Sequence, residues 1–64
     1  MDIDKIRRDY STMKSFVDCK TLEEKKERAN LNLTYWLYVE DVTESAEYWR
    51  GVLKGIRTVE NLVK

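Results

Sequence analysis

The chain has 64 residues, 42% of them apolar and 38% charged, which argues for a folded chain over a disordered one. Twelve basic residues against twelve acidic ones exclude a bulk polycation and an acidic nucleic-acid mimic. One cysteine and no histidine exclude an intrachain disulfide, a four-ligand Cys/His zinc site and imidazole-based catalysis, so no cofactor is expected.

A single small domain over 1–64 is expected. Such a chain buries only about 60% of the surface its unfolded form exposes, so a second copy is a natural way to enlarge its core. The first ten residues carry six charges, unlike a secretory signal. No apolar run approaches the roughly 20 residues of a membrane span, and neither end carries a lipidation motif. The expectation is a cytoplasmic protein with no membrane partner.

Two glycines and no prolines point to an all-α fold. The spacing predicts three helices, at about 2–19, 22–41 and 44–63. In the first, Ile3, Ile6, Tyr10, Met13 and Val17 recur at intervals of three and four, a narrow heptad seam. Asp2 and Asp4 suit its start, and Lys20 lies near its end. Cys19 falls at the unfavourable end of the dipole for a thiolate and reads as an unreactive surface or half-buried thiol.

Thr21-Leu22-Glu23-Glu24 is a capping box and opens the second helix. Leu22, Ala29, Leu33, Trp36 and Leu37 would face inward. Leu31, Tyr35, Tyr38, Val39 and Val42 form a second apolar sector, which predicts a helix contacted from two sides. A competing strand reading rests on the alternation of Leu31, Leu33, Tyr35, Leu37 and Val39. It would need a pairing strand that neither neighbouring segment supplies.

Asp41 and Thr43 are both competent N-caps, and Asp41 with Glu44 repeats the box. The break is short, so helices 2 and 3 are expected as an antiparallel hairpin. On helix 3, Ala46, Trp49, Val52, Leu53, Ile56, Val59 and Val63 form a broad apolar face. The apolar surface of helices 2 and 3 is wider than helix 1 can cover, which predicts a homodimeric helical bundle.

Candidate functional residues fall into four groups. Tyr35, Trp36, Tyr38, Val39, Tyr48 and Trp49 gather near the connection between helices 2 and 3 and suit a partner-binding surface, because Trp and Tyr dominate interface hot spots. Arg50, Lys54 and Arg57 lie within about 60° on helix 3, a stripe that suits phosphate. Gly51 and Gly55, one turn apart inside a helix, suggest close approach of a backbone or a bulky ring.

The fourth group is Glu24-x-x-Glu27 with Glu44-x-x-Glu47. These four residues resemble the E-x-x-E and E-x-x-D motifs that hold magnesium in all-helical nucleotide pyrophosphohydrolases of the MazG type. The resemblance implies metal-dependent nucleotide hydrolysis. An antiparallel hairpin opposes it, because each pair starts its helix and about 22 Å of helix separates the two ends. The simpler role for Glu24 is an i,i+4 bridge to Arg28.

The primary expectation is therefore a non-enzymatic, self-associating module that binds another protein. A nucleic-acid-binding regulator using the basic stripe is the alternative, and a metal-dependent pyrophosphohydrolase the remote one.

Overall fold

The computed structural model describes residues 2–63. Asp2 opens α1 (Ile3–Thr12), its carboxylate accepting the Lys5 amide at 3.1 Å. The helix ends seven residues before the expected boundary at residue 19. Ser11 and Thr12 turn their hydroxyls back onto the Arg7 and Arg8 carbonyls, and Met13 is extended. A short 3-10 turn over Phe16–Asp18 follows, tied by the Ser15 hydroxyl to the Asp18 carboxylate at 2.9 Å.

This early stop changes which residues pack. Val17, expected on the heptad seam, is 82% exposed, and Met13 is exposed too. Phe16 turns inward instead and meets Trp49 edge-on, with ring centroids 5.4 Å apart. Cys19 is a free thiol and is buried, more deeply than the expected surface or half-buried position; its Sγ lies 3.5 Å from the Ser15 carbonyl.

Thr21 caps α2 (Leu22–Thr34) as its position predicts, accepting the Glu24 amide at 3.1 Å. Only half of the capping box forms, because the Glu24 carboxylate turns to Lys14, at 4.0 Å. Ala29, Leu22 and Leu33 face α3 (Thr43–Leu62) and pack with Leu53, Ile56, Trp49 and Val52. Lys26, near the start of α2, reaches Glu60, near the end of α3, at 3.1 Å.

The helix does not run unbroken to residue 41. Tyr35–Val39 form one π-helical turn, in which the Glu40 amide bonds the Tyr35 carbonyl, five residues back. The Val42 amide then closes on the Trp36 carbonyl at 2.9 Å. Asp41 lies between them at φ 55°. It supplies the left-handed residue that usually ends a helix as glycine, which aspartate tolerates better than most side chains. Asp41 is therefore a helix terminator and not the expected N-cap. Val42 holds the N-cap position of α3, with no side-chain bond to the helix. The strand reading of 31–39 is overturned, since this stretch is helical throughout.

The outcome is an all-helical chain of three α-helices with no strand among the described residues. Its core is thin. Cys19, Ala29, Ala46, Leu53 and Ile56 are the buried apolar residues, and no large side chain among those described is completely enclosed. Val59 and Val63, expected on the inner face of α3, are exposed.

Candidate functional site

The helix α2 is contacted by both α3 and α1. One side packs on α3. The other carries Arg28 and Asn32, which are 6% and 4% exposed, and Arg28 meets α1 there. The expected Glu24–Arg28 bridge does not form. Arg28 instead lies over the Tyr10 ring, 4.8 Å from its centroid, and donates from Nη2 to the Tyr10 carbonyl at 3.1 Å. That carbonyl belongs to the last turn of α1, where no intrahelical donor reaches it. Arg28 is thus the C-terminal cap of α1, contributed by another helix. Its Nε and Nη1, and the Oδ1 of Asn32, are buried with no hydrogen-bond partner.

The six aromatic-end residues divide. Tyr35 stacks on Tyr10 with centroids 3.8 Å apart, and Trp36 meets Tyr35 edge-on at 5.4 Å. The Tyr35 hydroxyl donates to Glu40 at 2.9 Å, and this bond is the main reason that its pKa lies above the usual tyrosine value. Trp49 packs on Phe16, and Val39 is half-buried. Tyr38 and Tyr48 are the two exposed members. Four of the six thus pack at least partly within the chain, with α1 and the π turn meeting through Tyr10 and Tyr35.

Gly51 and Gly55 do not touch anything closely within this chain. A Cβ at either position would meet no atom within 4 Å. No backbone or ring of this chain makes the close approach: the two glycines lie on open helix surface. On the helical wheel they share a sector of about 80° with Tyr48, Val59 and Leu62. Tyr48 is 65% exposed and Leu62 80%, with Val59 exposed between them. From residue 48 to 62 this sector holds no charge, in a chain where 38% of residues are charged.

The basic stripe occupies the opposite flank of α3. Arg50, Lys54 and Arg57 line one wall of a groove of about 410 Å³ between α2 and α3. Leu53 and Leu33 form its apolar floor, and Asn30 stands on the other wall. Among the described residues, none of the three cations has an ion-pair partner; the ion pairs join Arg7 to Asp4, Lys14 to Glu24 and Lys26 to Glu60. Sequence spacing found the stripe, but the contribution of Asn30 and Leu33 depends on how α2 docks.

The four carboxylates of the pyrophosphohydrolase-like pattern are not brought together. Glu24 and Glu27 line a separate cleft with Met13, Lys14 and Cys19, and Glu44 and Glu47 lie on the first turns of α3. No group of three or more potential metal-ligating side chains gathers among the described residues. No helix among them is long and apolar enough to cross a membrane. Comparison with known proteins finds no matching family, no similar curated protein and no similar solved structure.

Proposed function

We propose that the chain is a non-enzymatic helical interaction module that works as a homodimer, with α2 and α3 an antiparallel hairpin in each protomer. The hairpin is supported by the Lys26–Glu60 bridge, which ties the start of one helix to the end of the other. The observation that carries self-association is the uncharged, uncovered sector of α3. The protomer exposes 4815 Å². A compact chain of this mass exposes about 4,300 Å².

The sector is self-complementary in size. In an antiparallel pairing centred on Gly55, Tyr48 faces Leu62 of the second copy and Gly51 faces Val59. The large residues then pair at the two ends of the sector, and the glycines at its centre admit the close approach that nothing within the protomer makes. Docking of a further protein remains with the exposed Tyr38 and the groove. The one free, buried thiol suits a reducing compartment such as the cytoplasm.

Light scattering tests this reading. The mass is expected to be twice 7.7 kDa and to return to 7.7 kDa in Tyr48→Lys with Leu62→Lys. A wild-type protein that stays monomeric at millimolar concentration refutes it. The glycines supply a check of opposite sign. In an exposed helix each Gly→Ala change should stabilise by about 1 kcal/mol. The double variant Gly51→Ala, Gly55→Ala is therefore expected to resist denaturant better as a monomer and yet dimerise more weakly. Unchanged dimerisation would remove the glycines from the interface.

A nucleic-acid-binding regulator is the second reading, favoured by the three unpaired cations of the groove. A total charge of zero and a leucine floor weigh against it, since nucleic-acid-binding domains are usually basic overall.

A further inference from the structure

The groove between α2 and α3 has two chemistries at once. Leu33 and Leu53 make an apolar floor, and Arg50, Lys54 and Arg57 make a cationic wall. The seven-residue step from Arg50 to Arg57 spans about 10.5 Å along the helix. No acidic side chain within the chain neutralises these cations by ion pairing among the described residues. Nucleic acid would match the wall but leave the floor unused, because a phosphate backbone presents no apolar anchor. A bare apolar helix would match the floor but leave the cations uncompensated.

We propose that this groove binds an amphipathic acidic helix of a partner protein, with aliphatic side chains against Leu33 and Leu53 and carboxylates on Arg50, Lys54 and Arg57. Carboxylates at i, i+4 and i+7 of a helix cover the same 10.5 Å rise as the three cations. Helix-in-groove recognition reads such i, i+3, i+4 and i+7 anchors. Two of the cations are arginines, whose planar fork takes a carboxylate through two parallel hydrogen bonds. Asn30, on the facing wall, offers both a donor and an acceptor to the polar edge of the incoming helix.

The proposal rests on the interaction-module reading but not on the dimer. The groove and the uncharged sector lie on different flanks of α3, so one can fail without the other.

The test uses a designed helical peptide with two leucines in register and three glutamates at i, i+4 and i+7, titrated into the full chain and followed by amide NMR. Shifts are expected at residues 30, 33, 50, 53, 54 and 57, weakening with added salt. Arg50→Glu with Arg57→Glu should lower affinity at least tenfold. The same double variant should gain affinity for a peptide with lysines in place of the glutamates, an outcome an unfolded variant cannot give. Equal binding of acidic and basic peptides by the wild type overturns the proposal, as does no shift at millimolar peptide. Tighter binding of a short mixed-sequence DNA duplex at the same residues also overturns it and assigns the groove to nucleic acid. Light scattering on each mixture reports the dimer separately: a monomeric protein that binds the peptide refutes the dimer alone.

Discussion

Leu53→Ala is expected to cost about 2–5 kcal/mol and to leave little folded protein at ambient temperature. The size of the effect follows from the thinness of the core. Leu53 sits in the cluster with Ala29 and Ile56, against Leu22, Leu33, Trp49, Val52 and Phe16. A single core in a chain below about 70 residues rarely supplies more than 3–5 kcal/mol, so one cavity can consume the whole margin. Urea denaturation followed by far-UV circular dichroism, at one fixed protein concentration, measures it. Val17→Ala is the matched control. Val17 lies on the same heptad seam as Tyr10 but is almost wholly exposed, and its loss should stay within about 0.5 kcal/mol. Equal losses at the two positions would mean that the seam, and not Phe16, packs the core.

Arg28→Ala is expected to release α1 while α2 and α3 keep their helices. Nothing on α1 itself is fully buried. Its attachment depends on the Tyr10–Tyr35 stack and on Arg28, which lies over the same tyrosine and caps the helix end. A hydrogen bond from a charged donor contributes about 1.5–3 kcal/mol, and a small helix of ten residues has little stability of its own. Hydrogen exchange should therefore quicken at residues 3–12 and change little in the core turns of α3. Uniform acceleration across all three helices would show that the chain opens as one unit. Lysine at position 28 is not expected to restore protection, since one ammonium cannot both lie flat on a ring and point at a carbonyl with the same geometry.

The helical character of the chain, the start of α2 and the run of α3 were legible because their signals are local. Thr21 with Glu24 marks a cap, and Ala46, Trp49, Leu53 and Ile56 recur on one face. The end of α1 was not legible from apolar spacing, because Met13 and Val17 continue the seam past the point where the backbone turns out. The hydroxyls of Ser11 and Thr12 were the available hint. Phe16 enters the core only because the chain leaves the helix, a tertiary preference that no periodicity records. Arg28 was misread for a related reason. A glutamate four residues earlier suggests a solvated bridge, whereas burial beside an uncapped helix end depends on where another element stops. Of the candidate sites, the cationic stripe was readable as spacing on one helix. The leucine floor beside it comes from two helices meeting.

The π turn bears on how this molecule tolerates change in length. An α-helical turn at residues 35–39 would use one residue fewer to reach the same height, so the corner holds a spare link in the chain. That link turns the point where the chain leaves α2 by about 100° about the helix axis, and so sets from which side Asp41 and the start of α3 depart. Removing one residue here would rewind the turn and launch α3 from a new bearing. Side-chain replacements at this corner are local edits, whereas a single-codon deletion re-aims half the protein.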